Sequence, residues 1–307
     1  MSVALLFPGQ GSQAVGMGRE LSLAFSAARE LFEEADDILG FSLSRLAWEG
    51  PEEELTLTKN AQPALLVHSI AAHRVAEGEL GPVTMAAGHS LGEFSAHVAA
   101  GTLTFKEALE AVRVRGELMF ASGTERPGTM AAVLGLDEEG VEAICAAVGR
   151  EGKVCVPANF NSQGQVVISG DLDGVARGME LAKNAGAKRA VSLTVSGAFH
   201  SPLMEPAAEG LREKLDKIKF SDPEYPVISN VTAEPVRMGS SARDLLVDQL
   251  TSPVRWRASV EKMVEMGAAR FVELGSGTVL SGLNRRNARG VPCLSLGTPA
   301  DFDALEK

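Results

Sequence analysis

The chain reads as an α/β protein, a parallel-sheet core interrupted by a smaller inserted subdomain, and three observations predict it. Val3 to Phe7 is a continuous apolar run, as expected of a strand buried on both faces. A second apolar run, Val83 to Ala87, passes straight into Gly88-His89-Ser90-Leu91-Gly92 and then into a helical pattern from Glu93 to Ala100. Between them and the C-terminal segments, residues 127–195 read β-α-β-β-α-β, the ferredoxin-like order.

The elements follow in order. After the first strand comes the loop Pro8-Gly9-Gln10-Gly11-Ser12-Gln13, then a helical pattern from Leu21 to Leu39 that stops at Gly40. Ala61 to Ala76 is a second helix, opened by Gln62-Pro63, and Phe105 to Phe120 a third, with Thr104 placed as its N-cap. The texture changes at Arg126-Pro127-Gly128. Thr129–134 reads as a strand, 137–148 as a helix, 154–159 and 165–169 as strands, 173–185 as a helix and 189–193 as a strand. Alternation then resumes, with helices at 204–218, 242–250 and 256–266, strands at 227–229 and 271–274, and a last helix from Val279. This divides the chain into a large domain, 1–126 with 196–307, and a small one, 127–195.

Bulk properties bound the function. A net charge of −11 argues against non-specific binding to nucleic acid or to an anionic membrane. Cys145, Cys155 and Cys293 lack metal-ligand spacing and their odd number suggests no disulfide framework, so they read as thiols in a reducing compartment. The N-terminal apolar run is too short, and lacks the basic flank, for a signal peptide, and no apolar stretch is long enough to span a membrane. A cytoplasmic protein is expected.

The chemistry centres on Ser90. Strand, sharp turn and helix around G-x-S-x-G make a nucleophile elbow, whose glycines remove side chains from a crowded turn and whose helix N-terminus favours developing negative charge. The rival reading is a glycine-rich turn with an idle serine. Gly9-Gln10-Gly11-Ser12 imitates a dinucleotide fingerprint, but the acidic residue that should end a second strand falls in a helical pattern, Glu30 to Asp37. The loop is better used to aim a donor at Ser90, with Gln10 and the N–H of Leu91 forming an oxyanion hole. Of the five histidines, His68 and His73 read as helix residues, His89 lies in the elbow and His97 on its helix. His200, in Gly197-Ala198-Phe199-His200-Ser201-Pro202, is the candidate base. No acid between Ser90 and His200 is well placed to orient it, so a neutral acceptor such as a backbone carbonyl is expected.

At this point the residues resemble the malonyl-CoA:acyl carrier protein transacylase family. The resemblance covers nearly the whole chain. It rests on Phe7 to Gln13, Gly88 to Glu93, Val112-Arg113-Val114-Arg115-Gly116, Asn159 to Ser162, Gly197 to Met204, Asn230-Val231-Thr232, Gln249-Leu250 before Pro253-Val254-Arg255-Trp256, and Glu273-Leu274-Gly275. It implies an α/β-hydrolase-like core with a ferredoxin-like insert. It implies Ser90 as nucleophile, His200 as base, Gln10 and Leu91 as the oxyanion hole, Arg115 pairing with the malonyl carboxylate, Gln249 accepting from His200 through its main-chain carbonyl, and Asn161 lining the cleft. By composition alone Arg115 would read as a solvated helix arginine; the resemblance reverses that reading. Phe199 implies discrimination against methylmalonyl, since one extra methyl in a tight pocket is worth about 1–3 kcal/mol.

The implied reaction is ping-pong. Malonyl passes from malonyl-CoA to Ser90 and then to the phosphopantetheine thiol of acyl carrier protein, supplying the chain-extension unit for fatty-acid synthesis, with no permanently bound cofactor or metal. A monomer is expected, with no nucleic-acid or membrane partner. The carrier is expected to dock on local basic clusters, Arg285-Arg286 with Arg289 or Lys188-Arg189. Two positions depart from the family: Ser276 and Gln163 stand where proline is usual, which puts local loop rigidity in question. The rivals are a serine thioesterase, which needs an acidic triad member, and a binding module without catalysis, which would not need both Ser90 and His200.

Overall fold

The computed structural model describes residues 2–303 and 305. The chain opens with β1 (Val3–Phe7), α1 (Arg19–Ala24), α2 (Ser26–Leu39), α3 (Leu43–Glu49), α4 (Glu52–Thr56), α5 (Thr58–Ala76), β2 (Val83–Gly88), α6 (Gly92–Ala99) and α7 (Phe105–Glu125). The insert follows: β3 (Gly128–Leu134), α8 (Glu138–Arg150), β4 (Cys155–Ser162), β5 (Gln165–Asp171), α9 (Leu172–Asn184) and β6 (Arg189–Ser192). The chain returns through a 3₁₀ turn at Pro202–Met204 into α10 (Glu205–Leu215), β7 (Val227–Ile228), β8 (Pro235–Val236), α11 (Gly239–Asp248), α12 (Trp256–Glu265), β9 (Arg270–Leu274), α13 (Val279–Asn287), β10 (Cys293–Leu296) and α14 (Pro299–Phe302).

The six-stranded sheet runs β10-β9-β1-β2-β7-β8 and is parallel except for β8. Alternation along its central strand feeds two cores. Val3, Leu5 and Phe7 face the cluster built with α2, α5, α6, α7 and α10, while Ala4 and Leu6 face a smaller one with Trp256, Val260 and Met263 of α12 and Leu280 and Leu283 of α13. This burial on both faces explains why the first strand is an unbroken apolar run.

The insert is an antiparallel sheet ordered β4-β5-β3-β6. One face carries α8 and α9 over a core that includes Val133, Val141, Ile144, Val166, Ile168 and Val175. Asp137 and Asp171 cap those helices by accepting from Gly140 and Gly174 N–H. Met130, Ala158 and Val167 join the main core instead. β4 is also tied to the segment before α12, Phe160 N–H donating to Val254 O (2.9 Å) and Val254 N–H to Ala158 O (2.8 Å).

Several elements depart from the sequence reading. The helix expected over Leu21–Leu39 is two, broken at Phe25, which takes an extended conformation (φ −126°, ψ 125°). The helix expected to open at Gln62-Pro63 begins a turn earlier, at Thr58, and carries Pro63 inside it. Proline there deprives the Lys59 carbonyl of its helical partner. The guanidinium of Arg113 on α7 supplies the missing donor at 2.9 Å. Tertiary contact thereby repairs what the local rule forbids.

Candidate active site

The elbow at Ser90 follows from local sterics. Ser90 adopts φ 50°, a left-handed conformation that non-glycine residues seldom take. A Cβ on Gly88 would overlap the Gly92 carbonyl, and one on Gly92 would overlap the carbonyl of Phe7 at the end of β1. The turn closes only with both glycines. Asn230, just after β7, brackets it: its Oδ1 accepts from Ser90 N–H (2.7 Å) and its Nδ2 donates to Gly88 O (2.7 Å).

His200 also lies in the left-handed region (φ 56°), at the end of the return from the insert. Its Nε2 is 2.8 Å from Ser90 Oγ and its Nδ1 is 2.8 Å from the Gln249 carbonyl. A carbonyl can only accept, so Nδ1 carries the proton and Nε2 is left to accept from the serine hydroxyl. Burial, then the nearby Arg115 charge, pushes the His200 pKa down to about 3, so the ring is neutral at physiological pH. The orienting group is a backbone carbonyl, the neutral acceptor expected when no acid could be placed.

Arg115, on α7, is 1 % exposed. Nη1 donates to Gln62 Oε1 (2.6 Å), and Nη2 to Gln249 Oε1 (2.9 Å) and Ser90 Oγ (3.2 Å). The sequence alone would make this a solvated side chain; α7 instead turns it inward over Phe94. Burial lowers its pKa to about 10, with Glu93 opposing the shift, and it stays charged.

Ser90 opens on a cavity of about 300 Å³ whose lining includes Gln10, Leu91, Arg115, Asn159, Phe199 and His200. Gln10 Nε2 donates to Thr58 Oγ1 (3.2 Å), which in turn meets Ser196 Oγ (2.8 Å). The backbone N–H groups of Gln10 and Leu91 have no acceptor among the described residues. The structure thus brings together Ser90, His200, Arg115, Gln249, Gln10, Leu91 and Phe199. Asn161 requires correction: it is not among the residues that line the cavity. Its Oδ1 is engaged by His89 Nε2 (2.8 Å) and its carbonyl by Asn287 Nδ2 (2.8 Å), while Asn159, beyond the irregular register of β4, lines the cavity instead. Ser276 Oγ donates to Ser12 O (2.6 Å), in the loop that carries Gln10.

Two residues escape the sequence reading. Gln62 holds Arg115, as given above. Glu93 is fully buried in the first turn of α6, its Oε2 accepting from Gln249 Nε2 (2.6 Å) and Asn230 N–H (3.2 Å). Burial raises its pKa to about 7 against those hydrogen bonds and the Arg115 charge. A lone carboxylate in a helix otherwise made of small, apolar and hydroxyl residues and one histidine was the available signal.

The chain matches the acyl transferase domain family over residues 4–291. It is 49% identical over 302 residues to the malonyl CoA-acyl carrier protein transacylase of Bacillus subtilis (strain 168), covering 98% of this chain and 95% of that one. It is 44% identical to the protein of that name from Escherichia coli (strain K12), with coverages of 98% and 97%. Among solved structures it resembles an acyl-carrier-protein-S-malonyltransferase from Bartonella henselae (TM-score 0.94, 46% identity, coverages 99% and 98%). It also resembles a malonyl-transacylase in complex with a type II PKS acyl-carrier protein (TM-score 0.96, 42% identity, coverages 100% and 99%).

Proposed function

The chain belongs to the acyl transferase family, and from that premise and the Ser90 geometry we infer that it transfers malonyl from malonyl-CoA to the phosphopantetheine thiol of acyl carrier protein. It is an acyltransferase that supplies the chain-extension unit for fatty-acid synthesis. One observation carries the site reading: a neutral imidazole nitrogen at 2.8 Å and a buried guanidinium at 3.2 Å converge on one hydroxyl. The first is what a nucleophile needs, the second what a carboxylated acyl group needs.

His200 Nε2 takes the Ser90 proton as Oγ attacks the thioester carbonyl. The developing oxyanion sits against Leu91 N–H and the Gln10 loop, each such donor lowering the barrier by about 3–4 kcal/mol. His200 returns the proton to the departing CoA sulfur, leaving a malonyl ester on Ser90. The carrier thiol then attacks that ester, losing its proton to His200, which passes it back to Ser90. Throughout, Arg115 grips the free carboxylate with charge-assisted hydrogen bonds. Phe199, on the cavity wall, is the residue read as disfavouring a methyl branch.

We read the large domain, 1–126 with 196–307, as an α/β-hydrolase-like core and 127–195 as a ferredoxin-like subdomain; the β4-β5-β3-β6 order supports the latter. Met130, Asn159 and Val195 reach the cavity from the insert and its return, so the cleft lies between the two. Lys188, Arg189 and Arg286 line one concavity beside the 163–165 turn, which supports a carrier docking surface there; Arg285 and Arg289 face a neighbouring hollow. No described helix is long and apolar enough to cross a membrane. We read the enzyme as a cytoplasmic monomer, without a permanently bound cofactor and without nucleic-acid or membrane partners.

Intact-protein mass after mixing with malonyl-CoA, then with phosphopantetheinylated carrier protein, tests the reading. A malonyl adduct on Ser90 that moves to the carrier is the expected result. Loss of the adduct to water at the same rate without carrier would mean a thioesterase, and no adduct would overturn the substrate.

A further inference from the structure

We propose that Glu93 is a positioning residue for malonyl selection: it locks the Gln249 side-chain amide in the one orientation that holds Arg115 beside Ser90. The proposal rests on the malonyl-transfer reading. A guanidinium only donates hydrogen bonds, and the Glu93 oxygen that faces the amide, Oε2, also receives Asn230 N–H and so acts as an acceptor. The Gln249 amide stands between the two. Its Oε1 accepts from Arg115 Nη2 (2.9 Å), and its Nε2 donates to Glu93 Oε2 (2.6 Å) and to Ser90 O (3.0 Å). Turned over, it would set its NH₂ against the guanidinium and its oxygen against the carboxylate. Glu93, at the shorter distance, and the Ser90 carbonyl therefore decide together which end of the amide faces Arg115.

The surroundings fit a dedicated role. Glu93 sits in the first turn of α6, where the helix favours an anion. Its Oε2 also accepts from Asn230 N–H, so the carboxylate is anchored to the bracket around the elbow. Its Oε1 is buried with no partner among the described residues. A half-satisfied buried carboxylate costs stability, so packing alone gives no reason for it at this position.

Gln249 serves two partners through different atoms. Its main-chain carbonyl orients His200, and its side chain holds Arg115. Glu93 touches only the side chain, so its loss should weaken carboxylate recognition more than proton transfer. In Glu93→Ala the malonyl-CoA KM should rise roughly tenfold, the scale of one hydrogen bond to a charged group. The KM for acetyl-CoA, which offers Arg115 no carboxylate, should barely move. Glu93→Gln can still offer an oxygen to Gln249 and should recover most of the malonyl preference. In a Gln249→Ala background, Glu93→Ala should change the malonyl-to-acetyl ratio no further.

The measurements are steady-state kinetics with both acyl donors for the two single variants and the double variant, with Glu93→Gln covering the case in which Glu93→Ala does not fold. An equal loss on both donors, or additive effects of the two alanine variants, would overturn the proposal while leaving malonyl transfer standing. A wild-type enzyme that forms no malonyl ester would overturn the transfer reading itself.

Discussion

The insert and the elbow region bury their side chains on different terms. Between α8, α9 and the insert sheet the buried cluster is aliphatic apart from Phe160 and a pair of cysteines, and the helix starts are capped by aspartates three residues from the N–H groups they serve. Around Ser90 the buried polar side chains include Gln62, Glu93, Arg115, His200, Asn230 and Gln249, with two non-glycine residues in left-handed backbone. Charges and strain of this kind subtract from stability unless partners compensate them. Here the partners arrive from far along the chain: Glu93 and Gln249 are 156 residues apart, Ser90 and His200 110. The insert is stabilised by local rules, whereas the site is held by long-range polar contacts whose geometry serves chemistry.

The largest effect that would break this contrast is on turnover. His200→Ala should lower kcat by at least about 10⁴-fold, as loss of the base does where nucleophile and base act as a unit. Cooperative urea unfolding should be retained. A loss below tenfold would mean that another group deprotonates Ser90. The matching change in the insert is Ile168→Ala, which removes a fully buried side chain from its core. It should cost about 2–5 kcal/mol in urea unfolding and leave kcat near wild type under conditions where the protein is folded. A large kcat loss there would show that the insert's own core is coupled to the chemistry.

The same division explains what the sequence could say. Strands and helices with a clean apolar period are legible because burial imposes that period locally: the β1 run, the elbow with its two glycines, and the insert's element order all carry it. Ser90 is legible because only a tight strand-to-helix turn needs glycines at both of its flanks. The break at Phe25 and the survival of Pro63 inside α5 are not, since one follows from packing and the other from Arg113 reaching across from α7. Arg115 needed the family resemblance, because a helical pattern alone does not say which face turns inward. Gln62 and Glu93 lacked any local mark of their partners, and Asn161 lost its expected place because the irregular β4 register brings Asn159 to the cavity.

The smallest effect sharpens the comparison through pH. Glu93 has its pKa raised to about 7 from 4.5, so between those values the folded protein holds a proton that the unfolded chain has lost. Stability from this group is therefore greatest at low pH and falls as pH rises through that window. His200 and His97, both lowered by burial to about 3 from 6.5, act in the opposite sense, destabilising the fold as pH drops below about 6.5. Removing the carboxyl should leave the histidine trend unopposed. In Glu93→Gln, stability should rise with pH between about 5 and 6.5 more steeply than in wild type, by up to about 1.4 kcal/mol per pH unit. Urea midpoints at four pH values suffice to measure it. Parallel curves for the two proteins would mean that Glu93 is ionised across the whole range, and hence that Arg115 and Gln249 compensate its burial fully. A steeper variant would mean that the site keeps a carboxylate poised between its two forms, a cost with no counterpart among the aspartate caps of the insert.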